Sequence, residues 1–139
     1  MCRIRWRRRD QGGTSTLEFI LVLPLLLLVF FAIVELSRAW HNVNILTTAA
    51  REGARVGSVS PAGPGDVFDP SAALARIDEI LAAANLLTGA TRDVTCATPC
   101  TPDSEVRADV SVTFETAVPF VLPMLQSLTI QQTASMRFE

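Results

Sequence analysis

The chain predicts an α+β fold in which a long N-terminal helix and a second, shorter helix accompany a small antiparallel sheet. Sixteen uncharged residues from Phe19 to Val34 lead into apolar positions that recur every three or four residues as far as Gly57, the period of one helix face. A second stripe of that period, Leu74, Ile77, Ile80, Leu81, Ala84 and Leu87, follows Asp69-Pro70. From Val106 onward the period changes to two, as half-buried strands require.

The first segment reads as membrane-spanning. Leu17 to Leu36 is twenty residues, which at about 1.5 Å each reach about 30 Å, the thickness of a hydrocarbon core. Glu18 and Glu35 fall at its two faces, and Arg38, Trp40 and His41 follow as interfacial anchors. Arg3, Arg5, Arg7, Arg8 and Arg9 precede the run. Short basic flanks stay cytoplasmic, so the N-terminus is expected inside and Trp40 onward outside. A cleavable secretory signal also begins basic and apolar, but Glu35-Leu36-Ser37-Arg38-Ala39-Trp40 lacks the small-x-small pattern and the helical period continues through it. A carboxylate dragged to the bilayer centre costs roughly 2.5 to 3.5 kcal/mol, so Glu18 points to a role. Pro24 cannot donate to the carbonyl of Ile20 and is expected to kink or loosen the helix. It is either a tolerated membrane-helix proline or a joint at which the first turns repack against other helices.

Beyond the span, Ile33, Leu36, Trp40, Val43, Leu46 (or Thr47), Ala50, Ala54 and Gly57 mark one face of the same helix. Taken from Leu17 to Val56 it is about 60 Å long, far more than a membrane requires. Ala49, Ala50, Gly53 and Ala54 allow close backbone approach, either to the protein's own outer part or to other subunits. Pro61, Gly63, Pro64 and Gly65 make residues 58–70 a loop. Asp69-Pro70 starts the second helix, expected to run to about Leu87 and to end near Gly89. Val106, Ala108, Val110, Val112 and Phe114 alternate with polar residues, as do Leu128, Ile130, Gln132, Ala134, Met136 and Phe138. A weaker strand is expected near Arg92 to Cys96, and Pro119 and Pro123 make Ala117 to Gln126 a connection.

The outer part, about a hundred residues, closes one modest core rather than two domains. Lysine is absent, and five of the twelve arginines lie in the first thirteen residues. Without those thirteen residues, seven arginines face thirteen carboxylates, a formal charge of −6. An acidic chain whose basic cluster sits at the cytoplasmic face gives no support to a nucleic-acid function. Cys96 and Cys100 fall in the outer part as Cys-Ala-Thr-Pro-Cys. In an oxidising compartment such neighbours most often form a disulfide. Free thiols are the next alternative, and a metal site the least, since no second pair or nearby histidine completes a ligand set.

Gly13-Thr14-Ser15-Thr16-Leu17-Glu18-Phe19 resembles the processing site of type IV prepilins and pseudopilins, where cleavage follows the glycine and glutamate is the fifth mature residue. With Leu23-Pro24-Leu25-Leu26-Leu27-Leu28 and Ala49-Ala50-Arg51-Glu52-Gly53-Ala54-Arg55, the chain resembles the TadE-like proteins, minor pilins or pseudopilins of the tight-adherence (Tad) pilus system. TadF and TadG relatives share this N-terminal pattern. The resemblance covers about the first sixty residues. It implies a pilin-like packing of long helix on sheet and three parts: a basic cytoplasmic leader, 1–13, removed by prepilin peptidase; a long helix, 14–57, transmembrane at about 17–36; and an extracytoplasmic α+β domain, 58–139. It implies as partners prepilin peptidase, other minor pilins and the major pilin of a Tad-type pilus, the inner-membrane assembly platform and the lipid bilayer, with no cofactor. It also implies location in the bacterial cytoplasmic membrane, or in the pilus. Classical pilins and type II secretion pseudopilins begin their mature chain with phenylalanine or methionine, so Thr14 in that place favours the Tad reading over the secretion one.

No catalytic constellation is visible: His41, the only histidine, sits at the membrane edge, and there is no phosphate-binding glycine loop or nucleophile elbow. The expected role is therefore a minor pilin or pseudopilin that joins, primes or caps an assembly. The rivals are a signal-anchored single-pass protein with an outer binding domain and a periplasmic hydrolase. Cleavage after Gly13 frees the α-amino group of Thr14, a cation about one helical turn from Glu18. Glu18 either pairs with that amine on a neighbouring subunit, penalising wrong registers, or reaches lipid headgroups. On the pairing reading, Glu18→Ala inserts normally but fails to join the assembly, and co-purification of the variant with pilus components at the native level counts against it.

Overall fold

Small residues on one face of the first helix decide how the rest of the chain stands on it. The computed structural model describes residues 12–60, 68–97, 100–101, 103–116 and 127–138, with side chains from residue 16 onward. Helix α1 spans Gly12–Ser58, with Pro24 inside it and no break. Helix α2 spans Ser71–Ala83. Strands β1 (Ala90–Cys96), β2 (Glu105–Glu115) and β3 (Ser127–Arg137) form one antiparallel sheet in the order β1-β2-β3. The α+β expectation holds.

The period of two set the strands correctly. Val106, Ala108, Val110, Val112 and Phe114 of β2 are all buried, while their odd-numbered neighbours face outward or lie half-buried. Pairing of β2 with β3 runs without offset from Glu105 opposite Arg137 to Glu115 opposite Ser127. Keeping the register in step holds every apolar residue on one face. The weaker strand is real and begins two residues earlier than expected, at Ala90. The inner face of the sheet closes a single core with Leu46, Ala49, Ala50 and Ala54 of α1 and Ala73, Ile77 and Leu81 of α2. The connection expected at 117–126 and the loop residues 61–67 lie outside the described residues.

Two expectations are corrected. α2 ends at Ala83, not Leu87. Asn85 adopts a positive φ of 56°. The Leu86 N–H donates to the Leu81 carbonyl at 2.9 Å and the Asn85 N–H to the Ala82 carbonyl at 3.0 Å. This is the paired bonding by which a left-handed residue closes a helix. Gly89, with φ 88°, instead turns the chain into β1. At the other end of α2, the Ser71 N–H donates to the Asp69 carboxylate at 2.9 Å, and that bond lowers the Asp69 pKa.

The second correction concerns α1. Ile33, Leu36 and Trp40 are 59, 70 and 66% exposed, so the upper part of the expected stripe faces away from the protein. The inward face there is Ala32, Glu35 and Ala39. From Leu46 to Gly57 the expected face is the buried one. The small residues Ala49, Ala50, Gly53 and Ala54 are thus covered by the protein's own α2 and sheet.

Gly53 shows how close that approach is. A Cβ there would lie 2.5 Å from Cδ1 and 2.7 Å from Cγ1 of Ile77, a fully buried side chain. Gly53→Ala gains up to about 1 kcal/mol of helix propensity, but overpacking a closed core costs about 1–3 kcal/mol. A net loss of up to about 2 kcal/mol is expected in thermal unfolding of the detergent-solubilised chain. Ile77→Val, which removes Cδ1, recovers part of that loss in the double variant, so the two changes are not additive.

Candidate functional site

Functional groups of this chain distribute along α1, because that helix carries both the apolar span and one wall of the core. The Gly13–Thr14 bond lies in its first turn. Glu18 is exposed among Leu17, Phe19, Ile20 and Leu21, which are 56 to 78% exposed. An eighteen-residue window of this region has a mean hydropathy of 3.0, and none of it is buried within the protein. By length and composition α1 is able to cross a membrane. A surface this apolar needs lipid or other apolar helices around it.

Near Leu36 the helix meets the far end of the sheet. Ala32, Glu35, Leu36 and Ala39 of α1 face Phe114 and Thr116 at the end of β2 and Leu128 at the start of β3, around a groove of about 330 Å³. Small side chains at 32 and 39 leave room for the Phe114 ring. Glu35 is 7% exposed, and Arg38, one turn on, pairs with its carboxylate at 3.1 and 3.2 Å. The Arg38 guanidinium also lies 5.3 Å from the Phe114 ring centroid. A guanidinium over an aromatic face is attracted by about 0.5–2 kcal/mol, more as water is excluded. One arginine thus compensates a buried carboxylate on the helix and clasps the sheet. The sequence shows the i, i+3 spacing of Glu35 and Arg38, but nothing local names Phe114 as the third partner.

The opposite end of the domain is closed differently. Gly57 sits against Val106, Phe68 and Val94, and the rings of Phe68 and Phe138 meet edge to face at 6.4 Å. Cys96 and Cys100 lie at disulfide distance, with Cα atoms 5.7 Å apart. Closing a loop this short is worth about 2 kcal/mol by chain entropy. The bond fixes the end of β1 far from Glu18 and Pro24. The residues singled out by sequence therefore form two separate groups: Gly13, Thr14, Glu18 and Pro24 on the span, and the cysteine pair at the outer tip.

On the outward face of the sheet, Arg107 donates to Asp109 at 2.9 and 3.3 Å, and the Thr133 hydroxyl donates to the same carboxylate. Asp93 of β1 lies directly opposite Asp109, a like-charge pairing that on its own is unfavourable. Arg107 and then Thr133 hold the Asp109 carboxyl below its ordinary 3.8, and Asp109 in turn raises the Arg107 pKa. Arg92 of β1 pairs across to Asp78 of α2 and so joins sheet to helix.

Residues 13–55 match the model of the TadE-like protein family, the family that the N-terminal motif resembles. The match begins at Gly13 and stops three residues before the end of α1. It covers just under a third of the chain and none of the sheet. No curated protein and no solved structure matches the chain.

A lowered carboxyl pKa in the fold stabilises it above the unfolded value near 3.8 and loses that contribution as pH falls through the folded value. Asp109→Asn is therefore expected to lower stability by up to about 1 kcal/mol at neutral pH, the scale of a solvent-screened pair. The difference from the unaltered chain should shrink as pH falls from neutral through the carboxylate range, in urea midpoints measured across the pH range.

Proposed function

We infer that this chain, with a TadE-like segment over 13–55, is a minor pilin or pseudopilin of a Tad-type pilus. It is held in the bacterial cytoplasmic membrane by α1, N-terminus inside and sheet outside. It is cut by prepilin peptidase after Gly13 and joins, primes or caps the assembly. The observation that carries this reading is a single helix, Gly12–Ser58, that places the processing motif and an exposed apolar surface at one end and core-forming residues at the other.

The physical logic follows from that arrangement. Among the described residues the buried core begins at Leu46, far along α1 from the Gly13–Thr14 bond. The large side chains from Leu17 to Phe31 are exposed, which leaves them for lipid before assembly and for neighbouring helices after it. Glu18, one helical turn from the new amine of Thr14, supplies the charge that a neighbour's amine would compensate, and Pro24, inside the unbroken helix, is either a tolerated proline or a joint for repacking against other helices. The prepilin peptidase, other minor pilins, the major pilin and the assembly platform are the partners this role requires.

Intact-mass measurement of the chain purified from membranes of a cell that has the peptidase tests the reading. The expected terminus is Thr14. A chain that keeps Met1 is a signal-anchored membrane protein instead, and one cut beyond Leu36 is a secreted domain.

A further inference from the structure

The groove at the end of the span lies away from the cleavage site and borders the core through Phe114. It lies at a particular depth. With Leu36 closing the span, Ala32 sits about 6 Å inside the hydrocarbon boundary and Ala39 about 4.5 Å outside it, at about 1.5 Å per residue. Phe114, Thr116 and Leu128 line the groove beside these residues, so the tip of the sheet stands at the level of lipid glycerol and headgroups. At about 330 Å³ the groove is within the roughly 300–1,000 Å³ range of small-molecule sites.

Its lining is carbon with a few polar groups placed where a bilayer changes from oil to water. Leu36 and Leu128, 70 and 46% exposed, stand at its mouth. The Glu35 carboxylate is neutralised by Arg38, whose own side chain remains 47% exposed. The Thr116 hydroxyl is buried and has no hydrogen-bond partner among the described residues, an arrangement that points to a missing acceptor. The residues that join β2 to β3, 117–126, carry no charge, so nothing in that stretch of sequence opposes placing the strand ends at a lipid boundary.

We propose that this groove between α1 and the β2–β3 tip binds one phospholipid of the outer leaflet. Its upper acyl chain lies against Ala32, Leu36, Phe114 and Leu128, its ester region meets the Thr116 hydroxyl, and its phosphate lies within reach of Arg38. The groove is continuous with the apolar surface of α1, and on the reading of α1 as a membrane anchor lipid surrounds that surface before any other subunit arrives. Its acyl, ester and phosphate groups match carbon walls, an unpaired hydroxyl and a half-exposed guanidinium. The proposal rests on the reading of α1 as a membrane anchor.

A photo-reactive side chain tests it on the full chain in vesicles of phosphatidylethanolamine and phosphatidylglycerol. Benzoylphenylalanine is placed in turn at Leu27 on the span, at Phe114 and Leu128 in the groove, and at Thr133 on the outward sheet face, and the adducts are weighed after irradiation. Phospholipid adducts are expected at Leu27, Leu128 and Phe114, with yields at Thr133 at least about tenfold lower because that position stands clear of the bilayer. Lipid at Leu27 but none at Leu128 or Phe114 overturns the groove while leaving the anchor intact. Lipid at none of these positions overturns both. A second copy of the chain as the adduct at Leu128 makes the groove a subunit contact and overturns the lipid assignment. If the bulky Phe114 variant does not fold, Leu128, already half exposed, still decides the outcome.

Discussion

The closeness with which α1 meets the rest of the protein between Leu46 and Gly57 is the constraint on which the remainder depends. Gly53 touches Ile77, and Gly57 approaches Val106, Phe68 and Val94. No larger residue at either position preserves those distances. Because α1 is unbroken from Gly12 to Ser58, this contact fixes the sheet on a rod that continues into the exposed apolar segment. Strand length does the rest. Eleven residues of β2 or β3 extend about 37 Å, and α1 from Glu35 to Gly57 covers about 33 Å. A sheet anchored at Gly57 and laid along the helix must therefore end beside Glu35, which is where Phe114 and Leu128 are found.

Two kinds of apolar surface share the helix and do opposite things. Large residues from Leu17 to Leu36 are exposed and stabilise nothing within the subunit. Small residues from Ala49 to Gly57 bury little area themselves, but they let Ile77, Leu81, Val106 and Val110 close over the helix. Each fully buried side chain of that size is worth about 1.5–3 kcal/mol. Folding is thus carried by the outer half of α1. The inner half is left without a partner of its own, which is the condition for a subunit that exchanges one apolar environment for another.

The strands were legible because alternation separates their two faces within each strand, and the sheet keeps them separate by pairing without a bulge. The outer half of α1 was legible for a similar reason: Leu46, Ala50, Ala54 and Gly57 follow the helical period and are buried. Between Ile33 and Trp40 that logic failed. There the large residues face out and Ala32, Glu35 and Ala39 face in. Hydrophobicity marks avoidance of water and does not say which apolar neighbour is met. The end of α2 was misplaced because Asn85 is a weaker written stop than Gly89, although its left-handed backbone closes the helix. The clasp of Arg38 on Phe114 joins residues far apart in sequence, and no local pattern announces it. For Gly13, Thr14, Glu18 and Pro24 the order is reversed: a motif identifies them, and the structure adds only their place on the helix.

The two carboxylates that bound the span illustrate how structure and proposed role meet. Glu35 is nearly buried, yet Arg38 from the same chain compensates it, so its charge is settled before any partner arrives. Glu18 lies seventeen residues earlier on an exposed face, and no ion pair to it is recorded among the described residues. Uncompensated, it is tolerable near headgroups and costly deeper in an apolar surround. Cleavage after Gly13 would create a positive group one turn away on every copy of the chain. A subunit leaving lipid would then find at its neighbour a cation for Glu18 that an uncut chain does not supply. On this reading processing and assembly are coupled by electrostatics: an uncut neighbour offers no amine at that position, and Glu18 would be left to oppose the packing that the apolar residues around it favour.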